Sequence, residues 1–236
     1  MKAEGKIRNL GFSCHGTPEE LQRMVNVRDW DFAQIQLNYL DWSYQRAEEQ
    51  YKVLENAGLP IIVMEPIRGG RLANLGEMGK AMEDYAPDKS QASWALRWVA
   101  SHPAIQVVLS GMSDYAQVQD NLATFADFKP MNEEENAILA DTAKALVNSA
   151  LIPCTGCRYC SECPQSLDIP RLLKMYEDYL LSRSVFSILN IRHMPENERP
   201  SSCIGCGHCE SRCPQHIEIP RLLAELSDSV ANIGRN

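Results

Sequence analysis

Short apolar runs alternate with amphipathic stretches through residues 1–128, and the alternation predicts strand and helix in turn. Lys6 to Ser13 reads as the first strand. Thr17-Pro18-Glu19-Glu20 then opens a helix, with Thr at the N-cap, Pro at the first helical position and Glu at the third. A second strand runs from Phe32 to Leu37, followed by a helix around Tyr44 to Ala57 that stops at Gly58. Pro60 to Met64 is nearly all apolar and predicts a third strand, leading into the loop Arg68-Gly69-Gly70-Arg71. A helix bearing Trp94, Leu96, Trp98 and Val99 precedes the fourth strand, Ile105 to Leu109, and Ser113 is placed to cap the helix after it. Short apolar strands joined by helices predict a parallel sheet covered on its outer face.

Asn132-Glu133-Glu134-Glu135 predicts an N-cap and an acidic first turn, whose charges answer the helix dipole rather than a ligand. That helix runs to about Asn148, and residues 129–150 read as a linker. Residues 151–236 hold an internal duplication: Cys163-Pro164-Gln165 and Ile169-Pro170-Arg171-Leu172-Leu173 recur as Cys213-Pro214-Gln215 and Ile219-Pro220-Arg221-Leu222-Leu223. Each proline can begin a helix. Met175, Tyr176, Tyr179 and Leu180 keep helical spacing between the two copies, so this segment is expected to be helical.

Eight of the nine cysteines lie here, as Cys154, Cys157, Cys160 and Cys163, then Cys203, Cys206, Cys209 and Cys213, each set followed at once by proline. Thiolates two or three residues apart with a trailing proline are the ligand run of a ferredoxin-type site, where three cysteines wrap one cubane and the fourth reaches the next. Two 4Fe-4S clusters are therefore expected. Cys154, Cys157 and Cys160 would share one with Cys213; Cys203, Cys206 and Cys209 would share the other with Cys163. Two alternatives fit less well. Structural zinc needs cysteine pairs set apart by a longer arm. A disulfide framework sits badly with an odd count and with a chain that opens on no signal-peptide pattern.

Composition adds bounds. The 236 residues have room for one large or two small domains, and 44% hydrophobic with 23% charged residues is ordinary for a folded chain. A formal net charge of -8 argues against nucleic acid and anionic membrane surfaces as partners. No apolar run approaches the roughly 20 residues of a membrane helix. A soluble, cytoplasmic protein is expected.

The segments GKIRNLGFSCHG, AQIQLNYLD, VMEPIRGGRLANL, SWALRWV and VVLSGMSDYAQVQDN together resemble the second half of an aldo/keto reductase. The cysteine tail resembles that of the family's iron-sulfur-containing subgroup. The resemblance implies an α/β fold, the C-terminal half of a TIM (β/α)8 barrel with about four βα units over residues 1–128, then an α-helical ferredoxin-like domain over residues 151–236. A complete barrel takes eight units and typically about 250 residues. The family's catalytic Asp, Tyr, Lys and His lie on the first four units, which nothing here matches; His15, His102, His193, His208 and His216 do not stand in for that histidine. No catalytic residue is expected in this chain. A half-barrel leaves two open sheet edges and much apolar surface, so a truncated product, a split enzyme missing its N-terminal half, or a homodimer of half-barrels is implied. Met1-Lys2 falls inside what resembles a continuous connection, which favours truncation.

By the same resemblance, Ser13 and Gln34 would bind the nicotinamide amide of NAD or NADP, with Cys14 where the family commonly has Asn and Met64 where an aromatic ring usually stacks. Glu65 to Gly70 would line the pyrophosphate, with Arg68 as charge partner. Ser110, Gly111, Met112 and Ser113 would approach the adenosine phosphate, and Gln117, Asp120 and Asn121 the adenine end. No Lys or Arg stands between Ser110 and Gln117, so a preference for a 2'-phosphate gains no support. Plain structural roles compete throughout: Ser113 as a cap, Gly69 and Gly70 as turn residues, Met64, Trp94 and Trp98 as core, Cys14 as a small buried hydrophobe.

Two functions follow. In the first, the intact protein exchanges hydride between NAD(P)H and a small-molecule carbonyl substrate. In the second, the chain is a non-catalytic electron-transfer or cluster-carrying subunit, and Arg158, Arg171, Arg212 and Arg221 offset cluster charge or meet a redox protein partner. Clusters that only brace the fold are a third reading.

Overall fold

The computed structural model describes residues 1–148, 151–182 and 184–234. The chain divides into two compact units, Met1–Val147 and Asn148–Asn236.

In the first unit, strands β1 (Gly11–Cys14), β2 (Phe32–Gln36), β3 (Ile61–Met64) and β4 (Ile105–Val108) form one parallel sheet in chain order. Parallel neighbours need a crossover between them, and helices supply it: α1 (Pro18–Val25), α2 (Asp41–Tyr44) and α3 (Ala47–Asn56), then α4 (Lys80–Tyr85) and α5 (Gln91–Ala100), with α6 (Tyr115–Ala126) after β4. Ala33, Ile35, Ile61 and Val63 are fully buried on the strands, as are Leu21, Leu54 and Trp94 on the helices.

The capping box at Thr17 forms as expected: Glu20 N–H donates to Thr17 Oγ1 at 3.2 Å and Thr17 N–H to Glu20 Oε2 at 2.8 Å. Two expectations need correction. The first strand starts at Gly11, because its pairing begins opposite Phe32. Before that point the chain is tied to Asp31 instead, whose carboxylate accepts Leu10 N–H at 2.6 Å and Lys2 Nζ at 2.5 Å. The helix expected around Tyr44 to Ala57 starts three residues later, at Ala47, after Arg46, which sits left-handed at φ 56° and separates it from the short α2. The Arg46 guanidinium reaches Glu19 at 2.7 Å and Glu49 at 2.6 Å, both in exposed pairs.

Helix α7 (Glu133–Val147) starts at Asn132 as expected, in a reciprocal pair: Glu135 N–H donates to Asn132 Oδ1 at 2.8 Å and Asn132 N–H to Glu135 Oε2 at 2.9 Å. Glu135 does more than answer the dipole. It pairs with Arg97 of α5 at 2.8 Å, and both side chains are nearly buried. Leu139, Ala143 and Leu146 are buried too, so the helix expected as a linker packs as part of the first unit.

The second unit is helical, with no strand among the described residues: α8 (Ile169–Ser182), α9 (Phe186–Leu189), α10 (His208–Ser211) and α11 (Ile219–Ala231). The duplicated Ile-Pro-Arg-Leu-Leu opens α8 and α11, burying Ile169 and Ile219, Leu173 and Leu223 alike. The loops before them match as well, with Gly156 at φ 68° and Gly205 at φ 65°, Ser166 at φ 55° and His216 at φ 50°. The extra residue between Cys209 and Cys213 is accommodated in the one-turn helix α10. Among the described residues no helix is long and apolar enough to cross a membrane.

Candidate functional site

A cavity of about 540 Å3 opens beyond the C-terminal ends of β3 and β4. It falls within the usual 300–1,000 Å3 of small-molecule sites, and carboxyl ends of parallel strands are where α/β sheets bind ligands. Ser110, Gly111, Ser113, Gln117 and Asn121 all line it, together with Met64, Gly69, Gly70 and Asp120. The polar side chains are fixed by one another. Asn121 Nδ2 donates to Ser110 Oγ at 2.9 Å, Ser113 N–H to Gln117 Oε1 at 2.7 Å, and Ser90 Oγ to Asp120 Oδ2 at 2.6 Å. Asp114, not Ser113, caps α6, accepting Gln117 N–H at 2.9 Å. The two residues are adjacent and both suited to the role, and backbone direction alone decides between them.

Three expected residues stand apart from this lining. Ser13 is exposed on β1, and Gln34 on β2 donates from Nε2 to Met64 Sδ at 3.4 Å. Arg68 is the larger correction. Its Nε lies 3.2 Å from Asp41 Oδ1, with both side chains nearly excluded from solvent, and its guanidinium sits 5.7 Å from the centre of the Tyr44 ring. A buried carboxylate that needs a counter-charge has claimed the arginine expected at the pyrophosphate.

Sequence reading missed the network around that pair. Gln36 Nε2 and Asn38 Nδ2 each donate to Asp41 Oδ2 at 2.7 Å, and Asn38 Nδ2 also donates to the Glu65 carbonyl at 3.0 Å. Gln36, Asn38 and Asp41 are all buried. The network clamps the loop after β3, where Glu65 and Arg68 hold φ of 56° and 49° and Gly69 and Gly70 continue left-handed. Two polar residues, Gln36 and Asn38, in the otherwise apolar run from Ile35 to Leu40, with Asp41 directly after it, were the available signal. Cys14 is buried as expected; burial pushes its thiol pKa up, against the bond it accepts from Gly16 N–H.

In the second unit, Cys163, Cys203, Cys206 and Cys209 line one pocket, walled by Leu167, Ile169, Ile204 and Leu223. Those four are the expected ligand set, one cysteine crossing from the first motif to join three of the second. The other set is also drawn together: burial chiefly raises the Cys154 thiol pKa, and the nearby sulfurs of Cys157 and Cys213 raise it further. Burial pushes Cys160 up to about 11, with Cys154 and Cys157 adding to it, and burial likewise raises Cys209, with Cys203 and Cys163 adding. Among the described residues no three His, Cys, Asp or Glu side chains are placed to hold a single metal ion. A cubane needs no such point, because each thiolate binds a different iron, and a donor set of four sulfurs in an apolar wall fits it. Around the motifs, Arg158 lies 3.5 Å from Asp168, Arg212 3.0 Å from Glu162, and Arg221 2.7 Å from Glu218; all three pairs are exposed. These arginines already have carboxylate partners.

Residues 1–144 match the sequence profile of the aldo/keto reductase family, and residues 153–218 match that of the 4Fe-4S dicluster domain. The chain belongs to the aldo/keto reductase family and carries a 4Fe-4S domain. It is 25% identical over 166 residues to YqkF, an uncharacterised oxidoreductase of Bacillus subtilis (strain 168), an alignment covering 61% of this chain and 53% of that one. The aldo-keto reductase AKR11C1 from Bacillus halodurans, in holo and apo forms, aligns with a TM-score of 0.50 at 24% identity, over 61% of this chain and 53% and 54% of those. That likeness is one of fold, the TIM barrel. The chain spans about half the length of the relatives it matches.

Proposed function

We propose that the first unit is the C-terminal, cofactor-binding half of an aldo/keto reductase barrel, and that the second is a helical ferredoxin-like domain for two 4Fe-4S clusters. The intact protein then exchanges hydride between a nicotinamide dinucleotide and a small carbonyl or alcohol. One observation carries the reading: five of the eight expected cofactor residues (Ser110, Gly111, Ser113, Gln117, Asn121) converge on one cavity at the strand C-termini. The backbone of Gly69 and Gly70 would approach the pyrophosphate, since neither carries a side chain to obstruct it. Ser13 and Gln34 would meet the nicotinamide amide, and Met64 would cover one ring face with its thioether. Arg68 acts at one remove, by holding the loop through Asp41. No residue here corresponds to the family's catalytic Asp, Tyr, Lys or His, so the reacting carbonyl would be polarised from the complementary half of the barrel. Bound dinucleotide would supply the hydride, a step that balances without single electrons, while the clusters would either brace the second unit or exchange single electrons with a separate redox protein.

Cys154, Cys157, Cys160 and Cys213 would hold one cluster, and Cys203, Cys206, Cys209 and Cys163 the other. A purely electron-carrying role is favoured by the exposed Tyr159 and Ile204, which stand between ligand cysteines and offer apolar contact to a protein donor. Anaerobic reconstitution followed by titration with NADH tests both readings. About eight irons per chain and saturable dinucleotide binding are expected, and fewer than about four irons would sink the ligand pairing. Clusters that accept electrons only from a reduced protein, with no dinucleotide bound, would decide for the second role.

A further inference from the structure

We infer that the cavity takes the dinucleotide without a 2'-phosphate, and that Asp120 is the residue that discriminates. The inference rests on the dinucleotide reading above and adds which form of the cofactor is held. Among the described residues the only ionisable side chains lining the cavity are Glu65 and Asp120, both acids, and no Lys, Arg or His lines it. Arg68, the cation expected beside it, is buried against Asp41. The N-terminus of α6, which would otherwise attract a phosphate, is capped by the Asp114 carboxylate. Ser113 N–H at that end is already given to Gln117 Oε1. A 2'-phosphate would bring close to two further negative charges into this wall with no cation to receive them.

Asp120 is held rigidly in the lining. Ser90 Oγ donates to its Oδ2 at 2.6 Å, and Ser90 is itself fixed as the N-cap of α5, accepting Ser93 N–H at 2.9 Å. Among the described residues no group donates to its second oxygen. A fixed carboxylate accepts from ribose hydroxyls and repels a phosphate in their place, which is how dinucleotide sites of the Rossmann type favour NAD.

The experiment is calorimetric titration of the full chain, clusters intact, with NADH and with NADPH. In the wild type, NADH is expected to bind at least about tenfold tighter, the order of one like-charge repulsion near a protein surface. Asp120→Asn keeps an oxygen for Ser90 and removes the charge, and should narrow that ratio by about threefold or more, mainly through tighter NADPH binding. Met112→Arg, which adds a cation at an exposed lining position, should narrow it by a second route. Equal or tighter NADPH binding by the wild type overturns the inference, and a ratio unchanged in both variants overturns the assignment to Asp120. Binding of neither dinucleotide to protein that calorimetric melting shows to be folded would instead overturn the dinucleotide reading itself.

Discussion

The first unit buries Trp94, Leu96, Leu54 and Leu21 between a parallel sheet and its helices, whereas the second packs Ile169, Leu172, Leu223 and Leu226 against a rim of sulfur. Cys209 lies in that second core, and Cys154, Cys160, Cys163, Cys203 and Cys213 pack on its edge. Their ion pairs differ in the same sense. Arg68–Asp41 and Arg97–Glu135 are buried or nearly so, while Arg158–Asp168, Arg212–Glu162 and Arg221–Glu218 face solvent, where such pairs contribute little. The described core of the first unit is thus built of side chains alone. The second has cysteine positions that side-chain packing leaves incomplete, and metal that binds only the folded form is then part of its folding free energy.

Removing metal should break the comparison most sharply. Cys209→Ala takes away a buried thiol that we propose as a ligand, and on that proposal the second unit should lose about half its iron and unfold at far lower denaturant, since structural metal contributes about 10 kcal/mol in small domains. Iron counts with limited proteolysis check it; resistance of the second unit in the iron-free protein would refute the coupling. The first unit should keep its dichroism throughout. Next in size is Trp94→Ala, which should cost the first unit about 3–5 kcal/mol while leaving iron content unchanged. Denaturant melts of the two units, followed separately, would show it.

The smallest effect is expected at Glu135. Burial works to raise its carboxyl pKa, but the Arg97 side chain and Asn132 N–H outweigh it and hold the pKa below the ordinary value. A depressed carboxyl stabilises fully above its unfolded pKa and loses that contribution as pH falls through the folded one. Glu135→Gln should then cost about 2 kcal/mol near pH 7 and progressively less below about pH 4. A constant deficit from pH 7 to pH 3 would mean that the charge is not what matters there.

Features written in a few consecutive residues were legible beforehand. The capping boxes at Thr17 and Asn132, the left-handed Gly69-Gly70 turn and the duplicated helix starts all form where their local chemistry puts them. Features decided by a distant partner were not. Arg46, left-handed at the start of α3, pairs with Glu19, 27 residues away. The start of β1 depends on Asp31, and the burial of Arg68 depends on Asp41. The candidate cavity divides the same way: its lining comes mainly from the loops after β3 and β4 and from α6, whose residue types could be read, but which of Ser113 and Asp114 takes the cap is a matter of geometry.

The sequence alone determined the alternation of strand and helix in the first unit and the eight-cysteine pattern of the second, because hydrophobic period and ligand spacing are local quantities. Tertiary structure decided the rest: that α7 packs with the first unit, that Asp114 rather than Ser113 caps α6, and that Arg68 turns inward, away from a cavity whose ionisable lining is Glu65 and Asp120. The first and last of those outcomes turn on pairing groups far apart in the chain, and the cost of burying a charge is settled only by which partner the fold brings to it.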